Sequence, residues 1–231
     1  RVHVDIVGPL PRTKKGNRYI LTLQCSFTKW AEAYPIPNQR ATTCARVIVK
    51  NWVCRFGVPD SIHSDQGRNF ESGVFSEMCK MLQMKKSRST AYHPQGNGQI
   101  ENVHRTLKNM LMAMLDEQTD RWDEYLDFCM MAYRSSIHVS TGHTPFELMF
   151  GREMRIPIDV MMGERMEDEL PENSYSQFVG DLRRHLVQAY HDVRNNLQAA
   201  QRRQKDTFDK GVCHTSYKPG DLVLRYSPQL K

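Results

Sequence analysis

From Val2 the chain alternates apolar and polar positions, with Val2, Val4 and Ile6 on one side and Asp5 on the other, until Gly8-Pro9 ends the run. After the basic turn Lys14-Lys15-Gly16-Asn17, residues 19–23 and 30–34 predict two more strands and so a meander. Ala45, Ile48, Val49, Trp52 and Phe56 recur at helical spacing and predict a helix over 41–56, with Gly57 as its stop. A strand over 61–64, a turn at Asp65-Gln66-Gly67, a helix over 71–82 and a strand over 85–90 follow. This order predicts an α/β domain whose five-stranded sheet must be mixed.

A loop bearing Pro94, Gly96 and Gly98 leads into a long helix expected over 99–117. On it Glu101, Arg105 and Lys108 share one face, while Leu107, Met110, Leu111, Met114 and Leu115 take the other. Helices over 122–133 and 144–150 complete a domain spanning 1–162. Trp52, Trp122, Met110, Met114, Met130 and Met131 fall on apolar helix faces and are expected in its core. Residues 163–173 carry five acidic side chains against Arg165 alone and read as a linker.

Residues 174–210 predict a second long helix, opened by a capping box of Ser174 with Gln177. Its stripe of Phe178, Leu182, Leu186, Ala189, Val193, Leu197 and Ala200 needs a partner surface, either the preceding domain or another chain. In 211–231, Lys218-Pro219-Gly220-Asp221 followed by Leu222-Val223-Leu224 predicts the start of a small β-barrel. The chain opens on Arg1 in strand-like sequence, so it is expected to be a piece of a longer polypeptide.

Charge changes this picture modestly. The 231 residues carry a net +6, and 201–231 hold seven basic against three acidic side chains. That surplus permits a polyanionic partner without demanding one. Six cysteines (Cys25, Cys44, Cys54, Cys79, Cys129, Cys213) lack finger or framework spacing and read as free buried thiols. No apolar run reaches the length of a membrane-spanning helix, so no membrane is expected among the partners.

Three carboxylates stand out by position. Asp5 lies within a β-run, which disfavours a carboxylate without a partner. Asp65 ends a short strand, and Glu101 sits in the first turn of a helix, with thirty-five residues between the two. Strand ends and helix starts are where α/β sheets assemble active sites. Carboxylates gathered there can hold Mg2+, and two such ions clamp an in-line phosphoryl displacement. Taken singly, Asp65 also reads as a turn residue and Glu101 as a partner of the helix dipole.

The motifs around these residues narrow the choice. Asp5 sits in His-Val-Asp-Ile-Val-Gly-Pro-Leu-Pro, Asp65 in His-Ser-Asp-Gln-Gly-Arg-Asn-Phe, and Glu101 in Tyr-His-Pro-Gln-Gly-Asn-Gly-Gln-Ile-Glu-Asn. With Phe27-Thr28-Lys29-Trp30 and Thr144-Pro145-Phe146-Glu147-Leu148, these resemble the integrase core of gypsy-type LTR retrotransposons and retroviruses, over Val2 to about Met162. The resemblance implies an RNase H-like fold and a polynucleotidyl transferase that trims DNA 3′ ends and joins them to target DNA, encoded within a Pol-type polyprotein. It implies Asp5, Asp65 and Glu101 as catalytic ligands of two Mg2+ (or Mn2+) ions.

Partners would then be the element's DNA ends, target DNA, further copies of the chain and chromatin proteins, with action in the nucleus after cytoplasmic assembly. Arg105, Lys108, Asn69, Gln95, Arg202 and Arg203 are the candidate DNA contacts. Two departures from the family pattern, Cys25 and His104 (where Asp and Asn are more usual), touch packing or substrate contacts and not the triad. The rival readings are a domesticated or inactive integrase-derived module that binds nucleic acid, and a DDE cut-and-paste transposase.

Overall fold

In the computed structural model, residues 1–89, 98–115, 119–163 and 175–210 are described, the side chains of 119 and 175–179 excepted. Strands β1 (Val2–Val7), β2 (Tyr19–Cys25), β3 (Ala31–Ile36), β4 (Ser61–Ser64) and β5 (Lys85–Arg88) form one sheet in the order β3-β2-β1-β4-β5. The first three pair antiparallel, whereas β4 and β5 run parallel to β1, so the sheet is mixed as the element order requires. Helix α1 (Ala41–Ile48) runs through a π-helical turn at Val49–Val53 into α2 (Cys54–Phe56). Next come α3 (Gly73–Met81), α4 (Gly98–Met114), a 3-10 turn at Thr119–Arg121, and α5 (Trp122–Ser135). They are followed by α6 (Pro145–Phe150), α7 (Pro157–Met161) and α8 (Tyr175–Asp209).

Both faces of the sheet are covered. Val2, Val4, Leu21 and Leu23 bury against Cys44, Ile48 and Trp52 of the α1–α2 run and against Phe75 and Cys79 of α3. On the opposite face Ile20, Ala31 and Ala33 pack with Val103, Leu107 and Leu111 of α4 and with Trp122, Leu126 and Met130 of α5. The face carrying Asp5 is therefore no solvent face: His3, Thr22 and Gln24 are buried there as well. The polar members of these strands need partners inside the protein, and that requirement builds the site.

Several elements differ in detail from their sequence patterns. Helix α3 starts at Gly73, because the Ser72 hydroxyl caps it by accepting the Phe75 amide, while Glu71 turns aside to pair with Lys86 and Arg88. Met130 is buried as expected, but Met114 is 39% exposed and Met131 only half-buried, because the packed stripe of α4 runs through Ile100, Val103, Leu107 and Leu111. Cys54 is exposed and Cys25 half-buried, so the expectation of uniformly buried thiols holds for Cys44, Cys79 and Cys129. Helix α7 has no counterpart in the pattern-based expectation.

The partner of the α8 stripe is the preceding domain. Ala189 and Val193 bury against Leu148 of α6, with Phe27, Tyr190 and Leu197 around them. Thr144 accepts the Glu147 amide and Pro145 occupies the first turn of α6, which fixes where Leu148 points. Tyr190 donates to the Leu148 carbonyl at 3.0 Å and Asn196 to the Thr141 carbonyl at 2.7 Å. From residue 201 to 210 every side chain is exposed. The acidic linker beyond Gly163, the Ser174–Gln177 capping box and the β-barrel start at 211–231 lie outside the described residues or side chains.

Candidate active site

Strand register brings the first two carboxylates together. On β1 and β4, Val2 pairs with Ile62 and His3 with His63. Asp5 lies two residues further along β1, and Asp65 follows the end of β4 at Ser64. Asp5 and Asp65 line a cleft of about 580 Å³, together with Gln39, Arg40, Arg68 and Asn69. Gly67 makes the Asp65 turn possible: its amide donates to Asp65 Oδ1 at 2.9 Å, and a Cβ there would lie 2.7 Å from Asn69 Oδ1 and 2.9 Å from Asp65 Oδ1.

The third carboxylate comes from α4. Lys29, in the left-handed turn between β2 and β3 (φ 59°), is buried and donates to Ser26 O at 2.7 Å and to Gln99 Oε1 at 3.0 Å. This bond ties the turn of Phe27-Thr28-Lys29-Trp30 to the helix start two residues before Glu101. Burial depresses the Lys29 ammonium to about 8. Ile100 and Val103 anchor the buried side of α4, leaving Glu101, Arg105 and Lys108 exposed on the other.

Glu101 is not part of the cleft lining, but its charge acts on Asp5 in the same direction as that of Asp65. Burial raises Asp5 from 3.8 to about 6, and the negative charges of Asp65 and Glu101 push the same way, against the Ile6 amide that donates to Asp5 Oδ1. As the side chains stand, no three His, Cys, Asp or Glu residues among those described close on a single ion, so the expected cage is open. The donor chemistry nonetheless suits a hard divalent cation. All three groups offer oxygen, and a cation would offset the burial that, helped by the charges of Asp65 and Glu101, raises Asp5.

The remaining sequence candidates divide clearly. Asn69 lines the cleft. Arg105 donates to Asn102 Oδ1 at 2.8 Å rather than pairing with Glu101, and neither it nor Lys108 forms an ion pair among the described residues. Arg202 and Arg203 are exposed on the last turns of α8. Gln95 lies outside the described residues.

Sequence reasoning undervalued His104. Its Nδ1 lies 3.8 Å from Asp5 Oδ2 and its Nε2 2.7 Å from Thr22 Oγ1, so it abuts the first carboxylate. Burial lowers its imidazole to about 4. Its spacing of three from Glu101 and its departure from the family pattern were the available signals, because the Asp5–Thr22 register was invisible. Arg40 and Arg68, both in the cleft lining, were likewise missed.

The integrase core domain family matches residues 1–94. The Retrovirus-related Pol polyprotein from transposon 412 of Drosophila melanogaster is 30% identical over 224 residues, covering 97% of this chain and 18% of that protein. The chain thus spans under a fifth of the length of this relative. Among solved structures, the catalytic core domain of BIV integrase superposes with a TM-score of 0.51 at 25% identity, over 64% of this chain and 91% of that one. The HTLV-2 integrase catalytic core domain, solved in complex with magnesium in a trimeric form, gives 0.51 at 18% identity, over 63% and 93%. The mixed five-stranded sheet flanked by helices is the RNase H-like architecture of these cores. Residues 1–94 thus match the integrase core domain family, and nearly the whole chain is similar to a retrovirus-related Pol polyprotein.

Proposed function

We propose that this chain is the catalytic core of a polynucleotidyl transferase that trims DNA 3′ ends and joins them to target DNA, working as part of a larger Pol-type polyprotein product. The carrying observation is that Asp5 and Asp65 line one cleft at the β1–β4 strand ends while Glu101 stands in the first turn of α4. These residues would hold Mg2+ or Mn2+, two ions per site. When bound, such ions activate an attacking oxygen and neutralise charge at phosphorus. The chain's own part is to hold the three carboxylates on rigid elements and to orient the DNA.

In this reading Asn69 and Gln95 contact the scissile end, and Arg105 and Lys108 hold neighbouring phosphates. Arg202 and Arg203 extend the phosphate contacts along α8. Water first cleaves near the 3′ end, and the freed hydroxyl then displaces a target phosphodiester in line, with no covalent enzyme intermediate. Glu101→Gln in the longer protein is expected to lower strand joining at least about 10³-fold while leaving the fold intact. Joining at a normal rate would remove Glu101 from the site. Lys108→Glu is expected to weaken DNA-end binding and flatten its salt dependence by about one phosphate contact. Identical binding across a salt titration would remove Lys108 from the DNA path.

DNA, further copies of the chain and chromatin proteins are the partners this activity calls for, with nuclear action after cytoplasmic assembly. Sedimentation with and without a DNA end, pull-down on nucleosomes, and imaging of the tagged chain test these points. A chain that stays monomeric on DNA, ignores nucleosomes and never enters the nucleus would overturn them. A second reading, a DNA-holding module without catalysis, is favoured by the open arrangement of the carboxylates. Retention of DNA binding without divalent-cation affinity would select it.

A further inference from the structure

We infer that Lys29 is a positioning residue for Glu101: its ammonium, reaching from the β2–β3 turn to Gln99, fixes the rotation of the first turn of α4 and so aims the third carboxylate. The inference rests on the reading of Asp5, Asp65 and Glu101 as the reacting centre, and adds the contact that holds one of them in place.

The turn that carries Lys29 is closed on several sides. Lys29 is 2% exposed and sits in left-handed backbone, where its amide donates to Cys25 O at 3.1 Å and its ammonium to Ser26 O at 2.7 Å. The Cys25 amide donates to Trp30 O at 2.8 Å, which closes the turn across the two strands. Phe27 packs edge-on against Tyr190, ring centroids 5.2 Å apart, so α8 grips the turn as well. An ammonium buried this deeply normally faces a carboxylate, yet none pairs with Lys29 among the described residues. Such burial costs stability. What the ammonium reaches across the fold is Gln99 Oε1, at 3.0 Å and 70 residues away.

That bond lands where a helix is weakest. The first turn has amides without intrahelical acceptors, so side-chain anchors decide how firmly it holds. Gln99 and Glu101 are two residues apart, about 200° around the helix axis, with the fully buried Ile100 between them. Ile100 holds the turn down, and the Lys29 bond keeps it from rolling. Glu101 is exposed, so its direction follows from the helix that carries it. Reacting groups must be held to within about 0.5 Å, and a misplacement of about 1 Å costs on the order of 100-fold in rate. A bond that fixes the azimuth of α4 at its first turn therefore acts on joining through Glu101.

Lys29→Met keeps the length of the side chain and removes the bond. In the 231-residue chain, hydrogen exchange at the amides of residues 102–105 is expected to speed up about 10-fold, while Tm equals or exceeds that of the wild type because a buried charge has gone. In the longer protein, single-turnover strand joining at saturating DNA is expected to fall on the order of 10- to 100-fold, with the Kd for a DNA end unchanged. Gln99→Leu, which leaves the turn alone, should reproduce that loss, and the double variant should be no slower than either single one. Losses that multiply in the double variant, or a loss of joining that merely follows a fall in Tm, would overturn the proposal. Glu101→Gln separates the two levels. If it joins normally, the reading of the centre fails; if it is inactive while Lys29→Met joins at the wild-type rate, only the Lys29 assignment falls.

Discussion

Glu32→Ala is expected to destabilise the fold by about 3–5 kcal/mol, seen as a fall in Tm on the order of 10 °C. The Glu32 side chain is 4% exposed, so its charge has almost no water to fall back on. One oxygen accepts from Trp30 Nε1 at 2.9 Å, and the other from the Tyr34 hydroxyl at 2.8 Å and Arg134 at 2.8 Å. Arg134 also donates to Ala31 O at 3.0 Å and stacks over the Trp30 ring at 4.5 Å, tying α5 to β3. Removing the carboxylate would strand a mostly buried guanidinium, leave an indole N–H without its acceptor and leave the Tyr34 hydroxyl only the longer 3.4 Å contact to Asn51 O. Arg55, 3.5 Å from the same carboxylate but 52% exposed, is expected to cost under about 1 kcal/mol when changed to alanine. Equal, small losses for Glu32→Ala and Arg55→Ala in a denaturant titration would show that the buried cluster is not the brace described here.

Asp5→Asn is expected to do the opposite to stability while abolishing strand joining. The folded-state carboxyl sits near 6, above its ordinary 3.8, chiefly through burial. A carboxyl raised in this way leaves stability untouched below 3.8, where both states are protonated. As pH climbs from 3.8 to 6 the unfolded chain ionises first and stability falls, and above 6 the full penalty of about 3 kcal/mol applies. With divalent cations chelated, Asp5→Asn should therefore be the more stable protein at pH 7.5, and the gain should vanish by pH 3.5. Adding Mg2+ or Mn2+ should recover stability in the wild type and not in the variant. If Asp5→Asn is less stable than the wild type at pH 7.5 in chelator, the strain assigned to the carboxylate centre is absent.

How much of this was readable beforehand depended on range. The three carboxylates are marked by local cues: a polar residue in an apolar run, a Gly turn and a helix start. The order of elements gave the mixed sheet, because each strand or helix is itself a short-range pattern. Long-range pairing was another matter. The register that sets Thr22 opposite Asp5 decides that His104 has a hydroxyl to bond, and nothing near His104 in sequence announces it. Nothing near Glu32 in sequence announces its partner Arg134, which lies about a hundred residues away. Asp5 was assigned the polar side of its strand, but that side is roofed by α4 and α5, which turns a solvated acid into a perturbed one.

Helix α8 carries one more implication. Its 35 residues span about 50 Å, and the portion past Leu197 extends about 18 Å beyond the last packed side chain. A rod anchored at one end works as a calibrated strut: its far tip inherits both a distance and an azimuth from the body that grips it. Each residue added or deleted after Ala200 would swing that tip by about 100° and move it only 1.5 Å. Whatever the tip carries is thus aimed by the residue count along the strut far more than by its length.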